Sequence, residues 1–482
     1  MKEPIIIQGG MGAGVSNWRL AQAVSRLGQL GVVSGTALDH ILARRLQDGD
    51  PGGHMQRALQ HFPSPGIAKR ILDKYYIPSG RKTHESYKSI PMFTLDPSVE
   101  LQELSVAGNF VEVHLAKEGH QGWVGINYLE KIQMHSLASL YGAMLAGVDY
   151  VLMGAGIPRA IPGVIDTLTS HSDVSVKANV DGAGPADDFR VKFEPKKIIQ
   201  EALQALKRPK FLAIVASNVL ALTLAKKASG RVDGFIVEGP TAGGHNAPPR
   251  GEKTFNDLGE PIYGPKDEVN LEDLKKLGLP FWLAGGYGNP EKLKQSLEQG
   301  AAGVQVGTAF AYCEESGMAE DIKVKVIEKA LAGEASVFTD ALASPSGFPF
   351  KVVRIEGTMS EKKEYEARRR TCTLGYLRVP YKRADGNVGY RCPSGPVDQY
   401  LHSEGNVENT IGRKCLCNGL LANIGLPQHE PNGYVELPLV TSGDDVNNIV
   451  RFLPKGMKTY SAEDVIRNLL SALKPSEIPA NV

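Results

Sequence analysis

The run Glu238-Gly239-Pro240-Thr241-Ala242-Gly243-Gly244-His245 gathers a carboxylate, two adjacent glycines and an imidazole into one short stretch. It follows the mostly apolar residues 232–237, which read as a buried strand. Adjacent glycines after a strand let backbone N–H groups approach a flat or anionic ligand with no Cβ in the way. A histidine at the rim of such a turn can exchange a proton near neutral pH. The plainer alternative, for this stretch alone, is a glycine turn with a surface histidine. Similar turns recur after other apolar runs: Gly9-Gly10-Met11-Gly12, Gly154-Ala155-Gly156, Gly285-Gly286-Tyr287-Gly288 and Gly307-Thr308. The first invites a dinucleotide reading. Its spacing arrives at Val15 where the third glycine belongs, so that fingerprint fails.

A second group of reactive residues lies far downstream. Residues 346–482 hold four of the five cysteines, Cys372, Cys392, Cys415 and Cys417, in turn-rich sequence with Arg368, Arg369, Arg370, Arg391, Arg413 and Lys414 close by. Thiols beside cations ionise more readily and make good metal ligands. The quartet suggests a four-thiolate centre, iron–sulfur or zinc. Its spacing matches neither the ferredoxin run nor paired C-x-x-C knuckles, so a metal-free tail stays open beside those two. His402 and His429 could replace a thiolate ligand, although a solvated loop histidine is the default, and Cys313 reads as core.

The elements that must position these residues follow a repeating order. Strand-like runs at 4–8, 31–34, 123–127, 150–153, 211–216, 232–237, 280–284 and 303–306 alternate with helical stretches at 18–27, 38–47, 134–146, 195–206, 219–229 and 319–332, and with a helix opened by Asn289-Pro290. Asn17 or Ser16, and Asn218, are the expected N-caps of the helices that follow them. Residues 174–180 and 189–193 alternate like a β-hairpin inserted between units. Eight strand-then-helix units with glycine turns at the strands' C-terminal ends imply a (β/α)8 TIM barrel over residues 1–345, with its active site on that face. Residues 49–120, rich in prolines, basic residues and aromatics, interrupt the rhythm and read as an inserted lid or substrate-shaping segment with short helices. Residues 346–482 are a C-terminal extension whose end, 461–473, is an amphipathic helix capped by Ser461.

The chain of 482 residues is 42% hydrophobic and 22% charged, with a net charge of +1. That is the composition of a globular protein with a sizeable core. It gives no bulk electrostatic case for nucleic acid or anionic membrane. No apolar run approaches the ~18 residues of a membrane span. The opening Met1-Lys2-Glu3-Pro4 leads straight into a strand, so no signal peptide is expected. Few cysteines in a long chain suit a reducing cytoplasm.

Together these residues resemble the nitronate monooxygenase family of FMN proteins, formerly called 2-nitropropane dioxygenases. That family includes the flavin-dependent enoyl-acyl-carrier-protein reductases and the enoyl-reductase components of polyunsaturated fatty acid synthases. The likeness rests on residues 4–12, on Gly125-Ile126-Asn127, on 238–245, and on Ala284-Gly285-Gly286 followed by 303–308. It covers roughly residues 1–345. It implies that the Gly10 and Met11 amides, with Gly12 beside them, lie against the flavin and that Asn127 bonds its ring. It implies further that Gly243, Gly244, Gly285, Gly286, Gly307 and Thr308 hold ribityl and phosphate, with Glu238 and Ala242 in the same cofactor shell, and that His245 faces the substrate as acid or base. The chain departs from compact members in the 49–120 insertion and the tail, so the substrate does not carry over.

The resemblance implies an FMN-dependent oxidoreductase, in one version taking electrons from a nitronate and passing them to oxygen. In the other version NAD(P)H reduces FMN and an α,β-unsaturated acyl thioester is the acceptor. An iron–sulfur centre would favour a reductive role. Further alternatives are a non-catalytic flavin- or phosphate-binding barrel and a reductase of nucleobases, against which the near-zero net charge counts; an oligomer stays open for any of these readings.

Overall fold

The computed structural model describes residues 3–475; Met1 and Lys2, which open the stretch read as leaderless, lie outside them. Eight parallel strands run in chain order: β1 (Ile6–Gln8), β2 (Gly31–Ser34), β3 (Val124–Leu129), β4 (Tyr150–Gly154), β5 (Lys210–Val215), β6 (Gly234–Glu238), β7 (Phe281–Ala284) and β8 (Gly303–Val306). From β2 to β8 each strand pairs with its neighbours in sequence, and β1 pairs with β8. The Ile7–Leu30 bridge beside β2 and the Gln8 N–H to Leu30 carbonyl bond of 3.0 Å close the ring. The fold is a (β/α)8 barrel.

Near-continuous apolar strands follow from burial on both faces. Ile7, Val32, Leu152, Leu212, Ile236 and Trp282 fill the interior, and the Trp282 indole N–H donates to the Pro4 carbonyl at 2.8 Å. Helices form the outer layer. Asn17 caps Trp18–Arg26 by accepting from Leu20 N–H, and Asn289 caps Pro290–Glu298 in the same way. The inserted hairpin pairs Val174–Lys177 with Arg190–Phe193.

Three expectations need correction. The helix read at 195–206 stops at Ile198. Beyond it Leu203 and Leu206 pack on the core as extended chain, and Leu206 N–H bonds the Thr169 carbonyl, so tertiary contacts override helix propensity. The cap of the helix Asn218–Lys227 is Ser217, whose hydroxyl accepts from Leu220 N–H; the Asn218 side chain instead ties down Asn270. The 49–120 segment is no lid. It ends in the long, largely buried helix Val99–Lys117, which packs between Trp18–Arg26, Leu38–Gln47 and Ser136–Leu145. None of its residues lines the main cavity.

The tail packs onto the barrel. Phe350–Val353 pairs antiparallel with Val337–Asp340, and Val379–Lys382 forms a hairpin with Val388–Arg391. Val440, Val446, Ile449 and Phe452 share one apolar cluster with Ile5, Val304 and Val306 of the barrel. Ser461 caps Ala462–Leu470 through a reciprocal bond with Asp464, and that helix lies on Trp18–Arg26.

Candidate active site

The C-terminal ends of the strands open into one large cavity. Every residue assigned from sequence to cofactor or substrate lines it: Gly10, Met11, Gly12, Asn127, Glu238, Ala242, Gly243, Gly244, His245, Gly285, Gly286, Gly307 and Thr308. This is the face on which such barrels place their sites.

The first turn is fixed from below. Gln8, buried at the end of β1, accepts from Val32 N–H and donates to the Ser16 hydroxyl at 2.8 Å. Ser16 in turn donates to the Gly9 carbonyl and accepts from Met11 N–H at 2.9 Å. The Met11 amide is therefore engaged inside the turn, against the expectation that it faces a ligand with that of Gly10. At Gly10 a Cβ would lie 2.4 Å from the Asn127 Cβ, so only glycine admits the close approach of turn and strand.

The opposite wall begins at β6. Glu238 has no side-chain hydrogen bond or ion pair to another described residue, and burial pushes its carboxyl up to about 7. Asn246, with its amide on the Ala242 carbonyl at 3.0 Å, locks the following turn. His245 packs edge-on against Phe350 at 4.9 Å, and its Nε2 lies 2.7 Å from the Ser344 hydroxyl, itself 2.7 Å from that of Ser346. Burial drives the imidazole down to about 4, so it is neutral at pH 7. Among the titrating groups of this wall, Glu238, not His245, carries a proton near neutral pH.

A third wall comes from the tail, and sequence reasoning missed it. Tyr376, Leu416, Cys417, Leu420, Asn423, Thr441, Ser442, Gly443 and Asp445 line the same cavity. The Thr441 hydroxyl accepts from Gly244 N–H at 2.8 Å, and the Thr308 hydroxyl accepts from Gly443 N–H at 3.1 Å. Thr308 thus meets the tail as well as the turn after β8. Lys351, its amine buried, binds Asp444 at 2.7 Å while its N–H bonds the Gly244 carbonyl, which clamps the tail loop to the glycine turn. A Cβ on Gly243 would lie 2.7 Å from the Ser442 carbonyl carbon. Burial raises the Asp445 carboxyl in this loop. Behind Tyr376 its hydroxyl donates to Asp39, which also meets His40 at 3.2 Å. Burial alone would raise the Asp39 carboxyl, but His40, His135 and Tyr376 together hold it low.

Buried polar atoms of the cavity lining, Gln305 Oε1 and Asn423 Oδ1 among them, have no hydrogen-bond partner among the described residues. Such atoms are costly unless something supplies the bond. At Gly244, in left-handed conformation, nothing stands within 4 Å of a Cβ position, so backbone faces open space. Glycine-lined backbone, unpaired polar atoms and apolar walls are what a flavin mononucleotide requires, and the residues present fit it.

The four cysteines also come together, but not as expected of a zinc site. Among the described residues no three His, Cys, Asp or Glu side chains are grouped to hold a metal ion. Cys372 and Cys392 interact directly, as do Cys415 and Cys417, giving two pairs.

Residues 186–367 match the family model described as nitronate monooxygenase. That stretch of the chain is similar to nitronate monooxygenases. Over 129 residues it is 31% identical to a nitronate monooxygenase homologue of Staphylococcus haemolyticus, covering 27% of this chain and 34% of that one. Over 159 residues it is 28% identical to (3aS,4S,5R,7aS)-5-hydroxy-7a-methyl-1-oxo-octahydro-1H-indene-4-carboxyl-CoA dehydrogenase of Mycobacterium tuberculosis, covering 33% and 39%. The matches thus span well under half the length of these relatives. Among solved structures, FabK from Thermotoga maritima is similar at 17% identity and a TM-score of 0.47, covering 98% of this chain and 93% of that one. A nitroalkane oxidase from Streptomyces ansochromogenes stands at 14% identity and a TM-score of 0.45, covering 97% and 96%. No helix among the described residues is long and apolar enough to cross a membrane.

Proposed function

We propose that the chain is an FMN-dependent oxidoreductase that takes electrons from a nitronate or a comparable small carbon acid. The observation that carries this reading is the cavity in which four glycine turns, unpaired buried polar atoms and a neutral histidine meet. FMN, when bound, supplies the redox chemistry. Gly10, Asn127 and Gly12 would hold its ring, and Gly243, Gly244, Gly285, Gly286, Gly307 and Thr308 its ribityl and phosphate. Lys292, whose amine bonds the Gly286 carbonyl at 2.7 Å, puts a cation beside that end.

The chain's own groups divide the proton work. His245 is neutral and orients or accepts, backed by the Ser344 and Ser346 hydroxyls. Glu238 is half-protonated near pH 7 and is the group able to give a proton there. A nitronate arrives already deprotonated, which suits a weakly basic imidazole. The reductive counterpart, in which NAD(P)H is donor and an enoyl thioester acceptor, would instead draw on the Glu238 proton. Five free cysteines agree with a cytoplasmic setting.

The test is to add FMN to the purified protein and mix it anaerobically with an alkyl nitronate, then separately with NADH and NADPH, following flavin absorbance. Bleaching by the nitronate supports the proposal. Bleaching only by a nicotinamide moves the enzyme to the reductive class, and failure to bind FMN refutes both.

A further inference from the structure

The four downstream cysteines come from three segments that the fold ties together. Cys372 follows the helix Lys362–Ala367, Cys392 ends the hairpin strand Val388–Arg391, and Cys415 and Cys417 stand at the N-cap and in the first turn of Leu416–Ala422. The Arg370 guanidinium bonds the Pro393 carbonyl at 3.2 Å and the Thr410 carbonyl at 2.7 Å, so one side chain joins all three segments. The Thr373 hydroxyl bonds the Asn418 side chain at 3.0 Å, tying the residue after Cys372 to the one after Cys417. A Cβ on Gly395 would lie 3.4 Å from the Cys372 Cβ, so the loop after Cys392 closes directly on Cys372.

The thiols are arranged two and two. Cys372 lies against Cys392, Cys415 lies against Cys417, and each pair is within the electrostatic field of the other. A single tetrahedral ion needs four sulfurs around one point, and no such grouping is present among the described residues. A binuclear iron–sulfur cluster with four cysteine ligands needs two sulfurs on each of two irons. Arg368 lies in the field of Cys415, Arg378 in that of Cys372 and Cys392, and Arg413 in that of Cys392. Three guanidiniums are fitting counter-charges for a cluster whose four thiolates leave it anionic. Cys417 belongs to the wall of the main cavity, alongside Asn423 and Tyr376.

We propose that Cys372, Cys392, Cys415 and Cys417 hold a binuclear iron–sulfur cluster, one cysteine pair on each iron, with its Cys417 side in the wall of the active-site cavity. Binding of the cluster does not depend on the flavin reading; only its position beside a redox cofactor does. There it is a one-electron centre next to a two-electron one.

The test uses the full-length protein purified without oxygen and measures iron, zinc, acid-labile sulfide and FMN on the same sample. A parallel sample is reconstituted with ferrous iron and sulfide under reductant. About two irons and two sulfides per chain are expected, with a paramagnetic signal after dithionite reduction. Cys392→Ser and Cys417→Ser are expected to lose the iron, while Cys313→Ser, in the core beyond β8, keeps it. Alkylation of the wild type before and after chelation gives a readout free of any folding defect: the four thiols become reactive only when the metal is removed. Iron without FMN would support the cluster and refute the flavin. One zinc per chain, four irons per chain, or no metal with two disulfides would each overturn the proposal.

Discussion

Glu238 offers the sharpest test of the site's electrostatics. A carboxyl held at about 7 in place of its ordinary 4.5 prefers the protonated form in the folded chain. At roughly 1.4 kcal/mol per tenfold change in proton affinity, the difference amounts to about 3.4 kcal/mol. Glu238 is only partly shielded, because one side meets the cavity. Cavity water reduces the figure to about 1.5–2 kcal/mol. Below pH 4.5 the carboxyl is protonated in both folded and unfolded chains and costs nothing. Between 4.5 and 7 the unfolded chain ionises first, so folding is progressively disfavoured, and above 7 the full penalty is present. Glu238→Gln cannot ionise and escapes this loss. Part of this is already present at pH 5, so its stability relative to wild type is expected to rise by about 1–1.5 kcal/mol between pH 5 and pH 8. For a chain of this size that is about 1–1.5 °C in Tm. Paired thermal melts at both pH values, at one fixed excess of FMN, measure the difference directly. A fixed amide penalty shifts both points equally, so only the pH-dependent part is diagnostic. A difference that is the same at pH 5 and pH 8 refutes the reasoning.

In the reductive assay, the rate of wild type is expected to fall as pH rises through about 7, where Glu238 loses its proton, and Glu238→Gln to remove that limb while lowering the plateau. His245→Ala is expected to reduce turnover about 10²–10⁴-fold while FMN stays bound, measured by steady-state rates and flavin content on one preparation. Gly10→Ala forces a Cβ to within 2.4 Å of the Asn127 Cβ and should weaken FMN binding at least about tenfold by fluorescence titration. The Arg368–Glu436 pair is fully buried, with bonds of 2.7 and 3.0 Å, so Glu436→Gln is expected to cost about 3–5 kcal/mol in denaturant unfolding.

The barrel was legible because its signals are local. Each strand is a short apolar run, and each ends in glycine or a small polar turn, so periodicity and turn chemistry point the same way. The Gly10–Asn127 contact was reachable only through the family resemblance, since 117 positions of chain separate the two residues. The charge states were not legible at all. His245 reads as a neutral-pH acid or base from its type, but packing on Phe350 and the shielding of its ring move it to about 4. Nothing in the run 238–245 says that its carboxylate will lack a partner. Helix 195–206 failed for the same reason: propensity is local, whereas Leu206 answers to Thr169.

The tail shows most clearly where a linear reading stops. Its loop Thr441-Ser442-Gly443-Asp444-Asp445 follows the apolar run Leu437-Pro438-Leu439-Val440 and so repeats the pattern of the barrel turns, an apolar stretch ending in small polar residues. That signal was available, but an extension beyond the eighth unit gives no reason to place it at the mouth of the barrel. What brings it there is distributed: Lys351 clamps Asp444 to the Gly244 turn, Thr308 accepts from Gly443, and Val440, Val446 and Ile449 share a core with β8. The same packing sets Cys417 into the cavity wall. A cavity with one wall from the barrel's glycine turns and another from the tail makes the two parts interdependent, so removing residues 346–482 should abolish FMN binding. A truncated chain that folds and still binds FMN with full affinity would show that the tail wall is dispensable to the cofactor, and would confine its cysteines to a role away from the flavin.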